Sequence, residues 1–136
     1  MKTAYKTLYL GLVEKDVGSA YGVTFPDLPG CFSAADTEDD LLPNAMEALE
    51  IFFEGNTGRH APSTIEELMA KPEIAEALGH GAFFLTVPYI LNNGGTTRVN
   101  ITINRGLLRS VDAEAERRKM TRSAFLAQAA EREILG

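Results

Sequence analysis

Three polar side chains alternate with three apolar ones over residues 98–103: Arg98, Asn100 and Thr102 against Val99, Ile101 and Ile103. Alternation with period two is the pattern of a half-buried strand. Arg and Asn on the exposed face of such a strand match guanine and adenine edges with paired hydrogen bonds, and Thr adds a hydroxyl. These three are the candidate base-contacting residues. Further along, Thr121 is expected to cap a helix, leaving the backbone N–H groups of Arg122 and Ser123 outward as a seat for phosphate. Arg122 adds charge there, so Thr121, Arg122 and Ser123 are the candidate phosphate contacts.

Other chemistries find less support. Asp16, Asp27, Asp36 and Glu47 could ligate Mg²⁺ only if they converged on paired ions, and Asp16 and Asp27 fall in expected turns. His60 and His80 are the only histidines and Cys31 the only cysteine, so neither a zinc site nor any other metal or cofactor is expected. A lone cysteine also precludes an intrachain disulfide, which fits a reducing, cytoplasmic setting; Cys31 is expected to be a small buried hydrophobe. There is no P-loop, dinucleotide fingerprint or nucleophile elbow, and no enzymatic activity is expected. The N-terminal run ends in Glu14-Lys15-Asp16 without a cleavage pattern, and residues 82–91 are too short an apolar run to span a bilayer.

The elements needed to hold such residues can be read in order. Thr7 to Val13 reads as a strand with Leu8, Leu10 and Leu12 on one face and Tyr9 on the other. Ala20 to Phe25 and Cys31 to Ala35 complete an antiparallel meander around the stiff Pro26-Asp27-Leu28-Pro29-Gly30 loop. Thr37, three residues before Asp40, opens a helix whose apolar face is expected to be Leu42, Ala45, Met46, Leu49, Phe52 and Phe53. Pro43 implies either a late start or a kink. Ser63-Thr64-Ile65-Glu66 predicts a capping box before a short helix, and Glu73 to Leu78 another helical turn. Ala82 to Ile90 is a fourth strand, with Phe83, Leu85, Val87 and Tyr89 to one side, and Pro88 places it at an edge or lies near the strand's own end. After the 98–103 strand come a helix with Leu107, Leu108, Val111 and Ala115, a break at Met120-Thr121, and a helix with Leu126, Ala130 and Ile134.

Strand, helix, helix in about 40 residues is too small to bury a core alone, and a single strand leaves its backbone unpaired. Two copies pairing their strands antiparallel solve both problems. The resulting two-stranded ribbon displays Arg98, Asn100 and Thr102 twice and fits a DNA major groove.

Charge is divided to match. The 136-residue chain has a net charge of −6 and is 45% hydrophobic, enough for packed cores. Residues 1–95 hold five basic and fourteen acidic groups, a charge of −9; residues 96–136 hold eight basic and five acidic, a charge of +3. The switch falls at Asn92-Asn93-Gly94-Gly95, so the division expected is a domain over 1–91, a linker over 92–96 and a second domain over 97–136.

Residues 97–134, TRVNITINRGLLRSVDAEAERRKMTRSAFLAQAAEREI, resemble a ribbon-helix-helix DNA-binding domain. Residues 21–40, YGVTFPDLPGCFSAADTEDD, followed by the acidic amphipathic helix, resemble the N-terminal domain of HicB antitoxins. The resemblance implies an α+β fold. Its first half would be an antiparallel sheet with a packed helix, similar to a truncated ribonuclease H fold, that holds a HicA-like toxin, a small basic ribonuclease. Its second half would be a homodimeric ribbon-helix-helix that represses the operon at an inverted-repeat operator. Whether two dimers join into a tetramer stays open. Arg105-Gly106 stands where such domains often have a turn starting with Pro or Asp, so a different strand–helix junction is expected. The alternative is a stand-alone regulator whose acidic domain senses a ligand or mediates assembly.

Overall fold

The computed structural model describes residues 6–56, 60–91 and 95–136, and the chain divides into two compact units, Met1–Leu91 and Asn92–Gly136. The linker expected over 92–96 falls mainly on residues 92–94, outside the described residues.

The first unit contains β1 (Thr7–Glu14), β2 (Tyr21–Thr24), β3 (Phe32–Ala35), α1 (Glu38–Glu54), α2 (Ile65–Met69), α3 (Pro72–Gly79) and β4 (Phe83–Tyr89). The four strands form an antiparallel sheet in the order β3-β2-β1-β4, with Val13 opposite Val23, Tyr9 opposite Val87 and Val23 opposite Ser33. Alternation along β1 sends side chains to two covered faces. Tyr9 and Val13 pack with Val23, Val87, Tyr89 and the Leu41, Ala45 and Leu49 side of α1. Leu10 and Leu12 pack with Leu68 of α2 and Ile74 of α3. Gly11 sits where the meander closes up: a Cβ there would stand 2.8 Å from Val23 Cγ1. Both sheet edges are blunted against further pairing. Pro88 lies in edge strand β4, and on β3 the Asn44 side chain donates to the Ala34 carbonyl at 2.9 Å.

Several local expectations shift. The buried ridge of α1 begins at Leu41, with Ala45 and Leu49 following at four-residue steps, and Leu42 is exposed. The helix is continuous from Glu38 with Pro43 inside it, so it does not start late; the missing N–H removes one hydrogen bond. Thr37 is the N-cap, yet its hydroxyl goes to the Asp40 carboxylate at 3.0 Å rather than to a backbone N–H. The capping box lies one residue later than expected, between Thr64 and Glu67, because Ser63 is held by Asp27. Phe83, at the start of β4, is 44% exposed although it alternates with Leu85, Val87 and Tyr89, and Leu8 is 44% exposed although it shares a face with Leu10 and Leu12.

The described part of the second unit consists of a segment without regular secondary structure over residues 95–104, followed by α4 (Arg105–Arg117) and α5 (Arg122–Leu135). The strand expected over 98–103 is not formed within the chain: no described segment pairs with it, and a strand requires a neighbour for its backbone groups. Asn104 resolves the Arg105-Gly106 junction. Its side-chain oxygen accepts from the N–H groups of Gly106 at 2.8 Å and Leu107 at 3.1 Å, capping α4. At the other end, Met120 N–H bonds to Ala115 carbonyl and Lys119 N–H to Glu116 carbonyl, the Schellman arrangement, with Lys119 left-handed at φ 57° in place of the usual glycine. Val111 and Ala115 are buried, whereas no residue of α5 is; Leu126, Ala130 and Ile134 do not form a buried stripe in one chain.

Candidate functional site

The polar residues singled out in the second unit are all solvent-facing. Arg98, Asn100 and Thr102 are exposed, and so are the apolar partners Val99 (73%) and Ile101 (63%). The two β-branched residues alternate with the polar ones, and their apolar side chains lie open to solvent.

Thr121, Arg122 and Ser123 come together at the start of α5. Thr121 Oγ1 accepts from the Ala124 N–H at 3.1 Å, the geometry of an N-cap. The backbone N–H groups of the first turn have no intrahelical acceptor, and the helix dipole makes that end attractive to anions. The Arg122 side chain has a partner that the sequence did not reveal. Its Nε and Nη2 donate to the two oxygens of Asp112, each at 2.9 Å, across from α5 to α4. Hydrogen bonding from Arg122 holds the Asp112 carboxyl below its ordinary range. Close by in sequence, Glu114 accepts from both Arg117 and Arg118, whose hydrogen bonds pull its carboxyl down to about 2. Arg118 also lies over the Phe125 ring at 5.5 Å. Three arginines of this basic unit are therefore tied to acids of α4.

In the first unit the acidic residues concentrate on α1. It carries Glu38, Asp39, Asp40, Glu47, Glu50 and Glu54 and no Lys or Arg. Acids in the first turn suit the helix dipole, but Glu54 at the C-terminal end opposes it, and no basic residue in the last turn compensates. Beside this helix a groove of about 210 Å³ opens between it and the start of β3. Cys31 and Ala48 line it, flanked by Phe32 (68% exposed) and Ile51 (61% exposed). Burial pushes the Cys31 thiol up to about 11.

Asp27 has a structural task that the sequence reading missed. Its carboxylate takes both the N–H and the hydroxyl of Ser63. Nearby along the chain, Tyr9 donates its hydroxyl to the His60 carbonyl at 2.6 Å, and the His60 ring packs edge-on against Phe52 and Phe53. Among the described residues no three His, Cys, Asp or Glu side chains are grouped to hold a metal ion, so Asp16, Asp27, Asp36 and Glu47 do not converge. No helix of the described residues is long and apolar enough to cross a membrane.

A model of the HicB-like antitoxin of bacterial toxin–antitoxin systems matches residues 9–130, from β1 into α5. The chain belongs to the HicB-like antitoxin family. A 14.9 kDa protein from the rep–hol intergenic region of Haemophilus phage HP1 is 34% identical over 137 residues, covering 94% of this chain and 98% of its own. Among solved structures, the antitoxin HicB of Burkholderia pseudomallei is similar at 39% identity over 91% of this chain and 96% of its own, with a TM-score of 0.54. The N-terminal domain of that antitoxin, solved by itself, is 41% identical and covers 62% of this chain and 100% of its own, with a TM-score of 0.50. The HicB-like match thus takes in both the acidic α1 and the Thr121 cap.

Proposed function

We propose that this chain is the antitoxin of a two-protein module, working in the cytoplasm with one activity in each unit. The second unit dimerises as a ribbon-helix-helix and represses its own operon. The observation that carries this half is the exposed alternation of Val99 and Ile101, which no described segment of the chain covers. Pairing with the same segment of a second copy satisfies the backbone and covers the apolar face. The opposite face then offers Arg98, Asn100 and Thr102 twice to an inverted-repeat operator. The two Thr121-capped helix starts, with Arg122 and Ser123, sit on phosphates.

The first unit, with its truncated ribonuclease H-like sheet, holds a small basic HicA-like ribonuclease and blocks its access to RNA. An α1 without a single cation, bordered by an apolar groove, supplies the opposite charge and an anchoring cavity. Opposite charge speeds encounter, and the groove supplies residence.

Co-expression with the neighbouring gene, followed by pull-down and operator gel shift, tests both halves. The full chain is expected to capture a basic partner and to shift the DNA upstream of its own gene. A chain ending at Leu91 is expected to keep the partner and lose the DNA. If the shortened chain still shifts that DNA, the assignment of the two activities is wrong.

A further inference from the structure

The arginine placed nearest the proposed phosphate seat is already engaged. Arg122 is the first residue of α5 and the only cation in its first turn. Its paired Nε and Nη2 edge, the edge that fits a forked anion, is spent on both oxygens of Asp112 at 2.9 Å. A phosphate presents the same fork as a carboxylate, so the two compete for one guanidinium edge. Both side chains are about half exposed, 56% for Arg122 and 44% for Asp112. An ion pair so open to solvent is weak and readily exchanged.

Resting on the DNA-binding reading of the second unit, we infer that Asp112 sets the operator affinity by competing with DNA phosphate for Arg122. In the free chain Asp112 neutralises the cation at the start of α5. On DNA the guanidinium turns to phosphate, and the Asp112 carboxylate is left close to the polyanion. Both consequences of the carboxylate act in the same direction, against binding. In a dimer the device occurs twice. The neighbouring arginines do not take its place: Arg117 and Arg118 are held by Glu114, and Arg118 lies over Phe125. Because phosphate contacts carry no sequence information, the brake lowers affinity for all duplexes alike and leaves the discrimination among them to the segment over residues 98–103.

The test uses the full chain as wild type, Asp112→Asn, Asp112→Ser, Arg122→Ala and the double variant Asp112→Asn with Arg122→Ala. Each is titrated over a salt series against a duplex from directly upstream of its gene and an unrelated duplex of equal length. Circular dichroism and sedimentation check fold and assembly. Asp112→Asn and Asp112→Ser are expected to bind both duplexes about three- to tenfold more tightly at low salt, with the ratio between duplexes unchanged. In the Arg122→Ala background Asp112→Asn relieves only the repulsion between carboxylate and phosphate, so its gain is expected to be clearly smaller than in the wild type, where Arg122 is freed as well. Binding no tighter in both Asp112 variants overturns the inference, as does a gain from Asp112→Asn that is undiminished when Arg122 is removed. A wild type that holds neither duplex is a different result: it removes the DNA-binding reading itself, and this inference with it.

Discussion

The carboxylate of Asp27 grips Ser63 twice, accepting from its backbone N–H at 2.7 Å and from its hydroxyl at 2.6 Å. The two residues are 36 apart in sequence, so this clasp ties the Pro-rich loop after β2 to the segment leading into α2. Hydrogen bonds to an ionised acceptor are stronger than neutral ones, and removing the acceptor leaves a half-buried N–H without its partner. Asp27→Ala is therefore expected to cost about 1–3 kcal/mol of stability. Urea unfolding of wild type and variant measures it; an unchanged midpoint would show the clasp to be incidental.

Gly11 makes a prediction about packing. A Cβ at this position would lie 2.8 Å from Val23 Cγ1 and 3.4 Å from Phe25 Cε1, in the core under α1. Gly11→Ala must push the β-branched Val23 aside, with an expected loss of about 1–3 kcal/mol. Combining it with Val23→Ala opens the space, so the double variant should fall short of the sum of the two single losses in a thermal-melt cycle.

Cys31 gives a pH dependence. Burial raises its thiol from an ordinary value of 9.0 to about 11. The unfolded chain thus gives up this proton at lower pH than the folded one. The stability tied to it is complete below about pH 9 and declines as the pH rises toward about 11. Cys31→Ala should show a flatter stability profile over that interval. In the folded wild type at about pH 8 the thiol should react with iodoacetamide much more slowly than in urea; equal rates would contradict its burial.

Glu54 separates stability from partner binding. It sits in the last turn of α1, where the helix dipole disfavours an anion and no cation offsets it. Glu54→Lys should stabilise the free protein by about 0.3–0.5 kcal/mol, seen as a small rise in Tm. The same change should weaken capture of a basic partner in a salt-dependent manner. A variant that is more stable and binds its partner equally well would remove α1 from the contact surface.

Asn100 tests base reading. Asn100→Ala should weaken binding to the operator by about 1–3 kcal/mol while leaving binding to unrelated DNA almost unchanged. Ile101→Lys, by contrast, should block strand pairing and give a monomer in sedimentation, with binding to all DNA reduced. Equal losses on both duplexes for Asn100→Ala would assign this residue to the phosphate backbone.

In the first unit the period-two pattern of β1 carried over from sequence to structure, whereas the alternation over 98–103 forms no strand within the chain and Leu126, Ala130 and Ile134 form no buried stripe. The alternation in β1 put Leu10 and Leu12 on one face and Tyr9 on the other, and Pro88 marked an edge strand. Thr121 caps α5 through its own hydroxyl. These features depend on residues a few positions apart, so the sequence carries them directly. Where two neighbouring residues could serve, tertiary contacts chose between them. Leu41 rather than Leu42 faces the sheet, and Thr64 rather than Ser63 caps α2, since Ser63 is taken by a carboxylate from another loop.

By itself the sequence determined the four strands of the sheet, its acidic first part and basic second part, and the exposed polar set Arg98, Asn100 and Thr102. Only the tertiary structure decided that Asp27 is spent on Ser63, that Lys119 turns left-handed between α4 and α5, and that Asp112 holds Arg122. The physical reason is range. Side-chain period and capping are set by covalent geometry over three or four residues. An ion pair or clasp between elements exists only once their packing has brought distant side chains within about 3 Å of each other.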